Sequence, residues 1–331
     1  MDDTSAGTSP RYQPADSLVS PRFAGVRTFM RLPHITTLEG VDVAFAGLPF
    51  DTGASFKVGA RFGPEAIRSA SALLRPYHPE LNVDIFGLLS AVDYGDSPVA
   101  PGFIEDSYER IVTFLRPLHR AGVVPIALGG DHSIVLPELR AAAQTHGPLA
   151  LVLFDSHPDT WESYFGHRYF HGTPFRRAVE EGLLAPEHST MIGLRGPVYE
   201  REDWENARAL GFEIITAAQM HRSGIADLPA RIKERAGDRP VFLSFDIDFL
   251  DPAYAPGTGT PEVGGFATWQ AQLLLRGLAG LNIVAADVVE VLPAYDHGQI
   301  TAHAGANMAW EILSLVAWRR QQTRDGGTRD A

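Results

Sequence analysis

Three side chains that can bind a metal ion follow one apolar segment of this 331-residue chain at alternating positions. Residues 151–154 are followed by Asp155, His157 and Asp159. Side chains two positions apart on an extended chain point to the same side, so these three converge if the backbone stays extended past Phe154. Because polar groups at the end of a buried strand are costly to hold without a partner, this spacing predicts a bound cation.

Two further apolar segments end in the same kinds of residue. One, at residues 241–245, is followed by Asp246 and Asp248, and the other leads through two glycines to Asp131 and His132. A polar cap on the turn after a strand would explain any one of the three segments, but three in one chain favour a shared ligand site. In parallel α/β sheets ligands bind beyond the carboxyl ends of the strands, which is where all three segments would meet.

Six of these side chains make a set suited to two divalent ions: His132, Asp155, His157, Asp159, Asp246 and Asp248. Four carboxylates with two imidazoles favour Mn²⁺ and leave Ni²⁺ open, and the absence of cysteine excludes thiolate ligands. Asp155 and Asp246, each the first of its alternating set, are best placed to bridge the ions, and Asp131 is expected to orient a ligand from behind. Two divalent ions about 4 Å apart activate water as a nucleophile, which is hydrolytic chemistry.

Strand-like apolar runs alternate with helix-like segments along the body of the chain. This pattern predicts an α/β fold with a parallel sheet of about eight strands and helices on both faces. The predicted strands are residues 41–48, 87–92, 123–128, 149–154, 190–194, 212–215, 241–245 and 283–288. The predicted helices are residues 63–74, 104–121, 134–145, 174–181, 200–210, 225–236, 268–279 and 304–318.

No composition break or linker divides the body of the chain, so we expect a single domain over residues 21–320. Residues 1–20, which are rich in Ser, Thr, Asp, Pro and Gly, are expected to form a mobile N-terminal tail, and residues 321–331 a C-terminal tail. Two predicted loops, 160–173 and 250–268, exceed the usual length and follow ligand-bearing strands. Loops in such positions typically wall a functional site.

The overall composition argues against several functional classes. A formal net charge of −12 argues against a nucleic-acid-binding surface and is compatible with a small cationic substrate. No apolar run reaches the roughly 18 residues that a membrane span requires, and no signal peptide is recognisable. We therefore expect no membrane contact and a cytoplasmic location.

Three motifs of the chain resemble the signatures of a known enzyme family. Gly-Gly-Asp-His-Ser at 129–133, Phe-Asp-Ser-His-Pro-Asp at 154–159 and Ser-Phe-Asp-Ile-Asp-Phe-Leu-Asp-Pro at 244–252 are similar to those of the ureohydrolases, the arginase and agmatinase family of binuclear manganese amidinohydrolases. Segments 23–33 and 256–261 resemble its agmatinase-like branch. The resemblance implies a three-layer α/β/α domain with an eight-stranded parallel sheet, two Mn²⁺ ions per chain, and a homo-oligomer, either a trimer or a hexamer.

The same resemblance implies roles for individual residues. One metal ion would take His132, Asp155, Asp159 and Asp246, and the other would take Asp155, His157, Asp246 and Asp248. His171 matches a proton-shuttling histidine, Glu290 matches the carboxylate that grips the guanidinium, and Asp159 is a candidate proton donor to the leaving amine. From the residues alone, His171 could instead cap the helix that it precedes, and Glu290 could be a surface acid. Ser156 stands where the family more often has alanine and is expected to point away from the ligands.

The leading functional hypothesis is the hydrolysis of agmatine to putrescine and urea. The alternatives within the class are guanidino acids (4-guanidinobutanoate, 3-guanidinopropanoate or a proclavaminate-type substrate) and other small guanidines. The charge of the pocket rim discriminates between them, because an amine tail needs a carboxylate and an acid tail needs an arginine or N–H donors. Outside the class, a one-zinc deacetylase would not need both His132 and Asp248, and an inactive structural subunit would be expected to have lost ligands.

Overall fold

The computed structural model of the protein describes residues 12–200 and 202–327. The described strands are β1 (Val43–Leu48), β2 (Tyr77–His78), β3 (Val83–Asp84), β4 (Ala91–Asp96), β5 (Val124–Gly129), β6 (Ala150–Phe154), β7 (Thr190–Leu194), β8 (Glu213–Thr216), β9 (Val241–Asp246) and β10 (Ile283–Val289). Strands β2 and β3 form a short hairpin, and the other eight form one parallel sheet in the order β4-β1-β5-β10-β9-β6-β7-β8. The predicted α/β fold with eight parallel strands is confirmed.

Helices cover both faces of the sheet. They are α1 (Gly63–Ser71), α2 (Ile85–Leu88), α3 (Ile104–Arg120), α4 (Val135–His146), α5 (Pro174–Glu180), α6 (Glu202–Ala209), α7 (Ala217–Ser223), α8 (Leu228–Ala236), α9 (Thr268–Gly277) and α10 (Ile300–Gly327). One apolar cluster joins Ile67 of α1, Leu274 of α9 and Leu313 of α10, and a second joins Ile111 of α3 and Leu139 of α4. Each cluster also contains side chains of the sheet, so the domain has three layers.

Strand β6 shows why the sheet is buried between the two layers of helices. Its five residues are apolar and buried, and successive side chains enter opposite apolar clusters. Such unbroken apolar runs are typical of parallel strands that are covered on both faces. The ring of Phe154 stacks on Phe245 of β9 with centroids 5.2 Å apart, so the two aspartate-bearing strands are packed together directly beneath the aspartates.

The strand order brings the ligand-bearing segments together. Strand β10 lies between β5 and β9, and β6 flanks β9 on the other side. These four neighbouring strands are parallel, so the segments that follow them open on the same edge of the sheet. The segments that follow β5, β6 and β9 therefore share one edge of the sheet, as predicted.

One predicted strand is displaced in the structure. The strand expected at residues 87–92 begins only at Ala91, because Ile85–Leu88 forms the short helix α2. The side chain of Asp84 caps this helix by accepting a hydrogen bond from the Gly87 amide. The apolar residues between Asp84 and Ala91 fit a strand as well as a buried helical turn, and the cap decides between them.

Helix α7, like α2, was not predicted. Helix α7 (Ala217–Ser223) precedes α8, and α8 (Leu228–Ala236) is shorter than the segment 225–236 that was expected to be helical. Thr216 and Gln219 form a capping box in which each side chain bonds the backbone of the other residue. This Thr-x-x-Gln signature was readable from the sequence and was overlooked.

The two chain ends also differ from expectation. Helix α10 begins before residue 304 and runs to Gly327, so residues 321–327 continue the helix and the expected C-terminal tail does not begin at residue 321. Residues 328–331 and 1–11 lie outside the described residues. Within the expected N-terminal tail, Ser20 accepts two hydrogen bonds from the Arg31 guanidinium, at 2.9 Å and 2.7 Å. In the described parts of the chain, none of the helices combines the length and hydrophobicity that crossing a membrane demands.

Candidate metal centre

His132 lies at the centre of the first group of potential metal ligands. Its Nδ1 is 3.0 Å from Asp155 Oδ2, 3.0 Å from Asp159 Oδ2 and 3.2 Å from Asp246 Oδ2. The chain reaches His132 from β5 through a tight glycine turn. A β-carbon at Gly130 would collide with a backbone carbonyl oxygen of the loop after β1, so only glycine allows the approach.

A second group lies beside the first and shares one residue with it. His157 Nδ1 is 3.0 Å from Asp248 Oδ2 and 3.6 Å from Asp155 Oδ1. Asp248 is carried on the one-turn 3-10 helix that follows β9. The structure thus brings all six predicted ligands together, and Asp155 belongs to both groups, as expected of a bridging carboxylate.

The ligands converge through turns rather than through an extended backbone. The chain bends directly after Asp155, whose carboxylate accepts a hydrogen bond from the His157 amide at 2.6 Å. Asp246 accepts one from the Asp248 amide at 2.8 Å in the same way. Asp159 has a φ of 49°, in the left-handed region that non-glycine residues seldom occupy. The predicted convergence is therefore correct, but the alternation argument behind it is wrong beyond residue 155.

The same bend overturns the expectation for Ser156. Its hydroxyl does not point away from the ligands but lies 3.1 Å from His157 Nδ1. The Ser156 amide donates a hydrogen bond to Asp248 Oδ1 at 3.0 Å. Ser156 is buried and contacts two of the potential ligands, which strict alternation could not have indicated.

The carboxylates of the cluster are buried against one another. Burial, together with the nearby Asp248 and Asp159, raises the pKa of Asp155 to about 6. Burial and the same kind of repulsion raise the pKa of Asp246 well above its ordinary value. Burial also disfavours the charged form of Asp248, yet the adjacent His157 holds the pKa of that carboxyl below its usual range. The cluster accumulates negative charge that the protein itself compensates only in part.

Several potential ligand atoms of the cluster approach one another without forming a well-aligned hydrogen bond. His132 Nδ1, Asp155 Oδ2 and Asp248 Oδ2 are buried, and although each lies 3.0 Å from another ligand atom, none makes a hydrogen bond of suitable geometry with a described residue. Buried lone pairs without a partner are costly, and cations would satisfy them. A donor set of four carboxylates and two imidazoles suits Mn²⁺ and related divalent ions. The residues present therefore fit a pair of such ions.

A second layer of polar side chains fixes the orientation of His132. Its Nε2 lies 2.9 Å from the hydroxyl of Ser244, which donates in turn to Asp287 Oδ1 at 2.7 Å. Asp131 stays outside the ligand cluster and instead accepts a hydrogen bond from the Gly53 amide at 2.7 Å. Such outer partners hold the ring plane of a metal-binding histidine and determine which nitrogen is free.

His171 and Glu290 lie next to the cluster and contact each other. His171 Nδ1 is 3.0 Å from Glu290 Oε1, which also accepts a hydrogen bond from the His132 amide at 3.0 Å. His171 therefore does not cap helix α5, which lacks a side-chain cap. Glu290 is 2% exposed and so is not a surface acid. Burial favours the neutral imidazole, but the hydrogen bond with Glu290 raises the pKa of His171 to about 9.

The second oxygen of Glu290 is left open. Glu290 Oε2 is buried and has no hydrogen-bond partner among the described residues. Glu290 has a φ of 62°, so its backbone, like that of Asp159, is in the left-handed region. A β-carbon at Gly259 would lie only 3.1 Å from Glu290 Oε2, so the loop packs close to this oxygen at a position where glycine has no side chain. A planar N–H donor would complete the site.

The outer wall of the pocket is aromatic and acidic. Trp161, Asp203 and Trp204 line it above the metal cluster. The ring of Trp161 stacks on Tyr164 with centroids 5.1 Å apart and contacts Tyr199 at 5.5 Å. These contacts join the predicted loop 160–173 to the segment after β7, in agreement with the expectation that this long loop walls the site.

Arg195 also lines the pocket, but its head group is fully engaged. Its guanidinium nitrogens donate to the backbone carbonyls of Asp248 at 2.6 Å, Glu262 at 2.9 Å and Leu250 at 3.2 Å. Arg195 therefore braces the turn that carries Asp248 and is not available for a ligand.

Sequence reasoning missed two parts of the site. Ser55 lies in the loop after β1, where its hydroxyl is 2.7 Å from His171 Nε2. That loop opens on the same edge as the ligand segments, so its polar residues could have been included. The pocket-lining role of Trp161 and Trp204 had no sequence signal, because aromatic residues in loops more often cover a core.

Comparison with known proteins agrees with this geometry. The family model described as the arginase family matches residues 41–314. The guanidinopropionase of Pseudomonas aeruginosa is 46% identical over 306 residues, covering 92% of this chain and 96% of that protein. The mitochondrial agmatinase of Gallus gallus is 44% identical over 295 residues, covering 89% and 87%. The solved structure of proclavaminate amidino hydrolase from Streptomyces clavuligerus has a TM-score of 0.87 at 41% identity, covering 91% of this chain and 100% of that one.

These matches confirm the family resemblance that the three motifs predicted. The arginase family is a family of binuclear metal enzymes, which agrees with two adjacent ligand groups that share Asp155. The matched segment contains all six potential ligands together with His171 and Glu290. The chain belongs to the arginase family, as an amidinohydrolase that cleaves the C–N bonds of guanidino compounds.

Proposed function

We propose that the protein hydrolyses agmatine to putrescine and urea, with His132, Asp155, His157, Asp159, Asp246 and Asp248 holding two Mn²⁺ ions. The observation that carries the choice of substrate is the charge of the pocket wall. Asp203 supplies a carboxylate there, and Arg195, whose head group is engaged, is the one lysine or arginine lining the pocket among the described residues. A positively charged amine tail fits this wall better than a carboxylate tail does.

The aromatic residues of the wall support the same choice. Trp161 and Trp204 are half-buried, so they present ring surface to the pocket. Indole rings attract ammonium groups through the cation–π interaction, which contributes about 1 kcal/mol at partly exposed sites. The methylene chain of agmatine would pack on the same rings.

Glu290 provides the anchor for the guanidinium. Its Oε2 is buried close to Gly259 and makes no hydrogen bond with a described residue. A guanidinium presents parallel N–H donors in one plane, and a carboxylate that accepts them fixes that plane relative to the metal cluster. The guanidinium would then be a second cationic partner of the buried Glu290, beside His171.

The remaining residues move protons. When bound, the two metal ions supply activated water and stabilise negative charge. Water adds to the guanidinium carbon, the bond from that carbon to the substituted nitrogen breaks, and the bonding electron pair stays on the nitrogen. That nitrogen needs a proton to leave as an amine. Two groups are placed to donate this proton. They are Asp159, which belongs to the ligand cluster, and His171, which contacts Glu290 and lines the pocket.

The substrate assignment is tested by urea release from the Mn²⁺-loaded protein. Agmatine, 4-guanidinobutanoate, 3-guanidinopropanoate and L-arginine are compared, and we expect kcat/KM to be highest for agmatine. Asp203→Asn should raise KM for agmatine several-fold. Glu205→Gln, an exposed carboxylate on the same helix, is the matched control and should leave KM unchanged. A preference for either acid, or an Asp203→Asn variant that still prefers agmatine equally well, would contradict the assignment.

Guanidino acids are the second candidate. The relative named guanidinopropionase is 46% identical to this chain, slightly more than the relative named agmatinase at 44%. The reaction and its residues would be the same, and only the group bound by the wall would differ. The substrate panel separates the two candidates directly.

We also propose that Mn²⁺ is the native metal, with Ni²⁺ as the alternative, and that the protein is a homo-oligomer, either a trimer or a hexamer. Carboxylate-rich sites favour Mn²⁺. Leu18, Val19, Phe23 and Val26 are 79–96% exposed in the single chain, and such an apolar stretch is typical of a subunit interface. Metal analysis of protein purified without added metal, and sedimentation velocity, test these two points separately.

A further inference from the structure

The loop after β1 places Ser55 directly over His171. The Ser55 hydroxyl lies 2.7 Å from His171 Nε2, and the Ser55 amide nitrogen lies 3.2 Å from the same atom. On the other side of the ring, Nδ1 is 3.0 Å from Glu290 Oε1. The His171 backbone is tied to the same loop, since its amide donates to the Gly53 carbonyl at 2.9 Å. Both ring nitrogens are therefore occupied.

These partners define how protons can enter and leave the ring. Glu290 is a carboxylate that accepts the Nδ1–H bond, and it is buried away from solvent. Nε2 meets two donors of Ser55, the amide N–H and the hydroxyl, so in the neutral ring it is an acceptor. Once Nε2 is protonated, only the hydroxyl oxygen can accept from it. A proton that leaves the ring at Nε2 therefore has Ser55 Oγ as its hydrogen-bond acceptor.

Ser55 is also exposed to the pocket. It is half-buried and lines the same pocket as Asp159, Trp161 and Asp246. His171 itself is only 9% exposed. His171 lines the same pocket, and the Ser55 hydroxyl contacts its Nε2, so both groups border the space where the substrate amine would leave.

A purely structural role is less consistent with the contacts. The loop is anchored by other bonds: the Gly53 amide donates to Asp131 at 2.7 Å, and the Gly59 amide donates to Asp51 at 2.9 Å. Among the described residues, His171 is the hydrogen-bond partner of the Ser55 hydroxyl. The loop does not depend on this hydroxyl for its shape.

We propose that the Ser55 hydroxyl relays a proton between His171 and the pocket, an inference that rests on the proposed function. In the forward step the Ser55 O–H gives its proton to the departing nitrogen as the C–N bond breaks, and Ser55 Oγ takes the proton of Nε2–H. The nitrogen leaves as a neutral amine, the imidazole becomes neutral and the hydroxyl is restored. A proton that the added water gives up as urea forms then returns to His171 through the same hydroxyl. Proton shuttles of this kind require hydrogen-bond contact at each step, which the 2.7 Å distance provides.

The test uses Mn²⁺-loaded protein and the variants Ser55→Ala and Ser55→Thr. We expect Ser55→Ala to lower kcat by about tenfold or more, within the range of general acid–base effects, and to leave KM unchanged because the guanidinium anchor is intact. Ser55→Thr keeps a hydroxyl and should restore most of kcat. Ser163→Ala, an exposed serine on the facing loop, is the control and should behave as the wild type. Metal content is measured for each variant and should not change.

A double-mutant cycle identifies His171 as the partner. In a His171→Asn background, Ser55→Ala should cause no further loss of kcat, because the relay no longer has a donor. Full kcat in Ser55→Ala, an equal loss in Ser55→Thr, or additive losses in the double variant would overturn the relay. If the wild type releases no urea from any guanidine tested, the proposed function fails instead. The relay is judged on whichever guanidine the wild type cleaves.

Discussion

Two clusters of buried charge in this protein are built in opposite ways. On helix α10, Glu311 is fully buried between a histidine and an arginine: His78 Nε2 lies at 2.9 Å, and the Arg276 guanidinium donates to it at 2.6 Å and 3.1 Å. Each oxygen of Glu311 is paired. This cluster ties α10 to α9 and to the hairpin of β2 and β3, and its bonds are complete within the protein.

The metal cluster has the opposite composition. Four carboxylates face two imidazoles, the pKa values of Asp155 and Asp246 are raised by burial and mutual repulsion, and several buried ligand atoms make no well-aligned hydrogen bond with a described residue. A protein can bury charge to join its own elements, or it can bury charge that a ligand completes. Unpaired donors distinguish the second case from the first.

Removing a shared carboxylate should give the largest effect. Asp155→Asn takes away the ligand that belongs to both groups, so we expect metal content to fall and activity to drop by at least about 1,000-fold, corresponding to the several kcal/mol that metal ions supply. The metal-free variant should nevertheless be more stable than the metal-free wild type, because one repelling charge is gone. Metal analysis, urea release and urea unfolding measure the three quantities. Retained metal would contradict the assignment.

The corresponding change in the paired cluster should have the reverse result. Glu311→Gln leaves His78 and Arg276 without their charged partner, so the free energy of unfolding should fall by about 3 kcal/mol. Metal content per folded chain should stay at the wild-type level. Equilibrium unfolding together with metal analysis tests this contrast between the two clusters. A Glu311→Gln variant that loses metal, or an Asp155→Asn variant whose metal-free form is less stable than the metal-free wild type, would contradict it.

A smaller effect is expected from the layer behind the ligands. Asp287→Asn weakens the hydrogen bond that orients Ser244 and, through it, the ring of His132. Loss of such outer partners typically costs about 10- to 100-fold in metal affinity. Competition with a chelating dye would measure the affinity. An unchanged affinity would show that Ser244 orients His132 without Asp287.

Acid should act oppositely on the metal-free and the metal-bound protein. The pKa of Asp155 is raised to about 6 in the metal-free fold, above its ordinary value, so the folded state binds more protons than the unfolded chain at pH values between them. Lowering the pH from 7.5 to 5.5 should therefore stabilise the metal-free protein by about 1 kcal/mol at this site. The metal-bound protein should be destabilised, because protons compete with the ions. Unfolding curves at both pH values, with and without chelator, give the sign. Parallel shifts in the two forms would refute the prediction.

The sequence predicted the ligand cluster because metal chemistry demands particular residue types close in the chain. Asp155, His157 and Asp159 were identifiable from type and spacing, although their convergence depends on a bend that alternation did not foresee. The contacts of Ser55 and Trp161 could not be predicted, because they join loops that are distant in sequence. Ser55 meets His171 across 116 positions, and no local pattern encodes such a contact.

The fold likewise contains elements that could be predicted from the sequence and elements that could not. Strands β6 and β9 were predictable from their unbroken apolar runs, and the parallel sheet followed from the alternation of strands and helices. Helix α2 was not predictable, because its four residues fit a strand or a helix equally well. The side-chain cap from Asp84 selects the helix. Where a single capping residue decides between a strand and a helix, the periodicity of the apolar residues does not predict the outcome.

The central place of β10 has a consequence for how this enzyme is made. The strand is among the last to leave the ribosome, yet it inserts between β5 and β9, and Glu290 follows it directly. Contacts between β5 and β10 join residues that are nearly half of the chain apart, such as Ile126 and Ala286, and such long-range pairings form slowly. A nascent chain that still lacks β10 would have the aspartates of β6 and β9 without the strand that aligns their edge with His132. Synthesis therefore has to be nearly complete before the chain can capture its ions, and truncation after residue 282 should yield a protein without a metal centre.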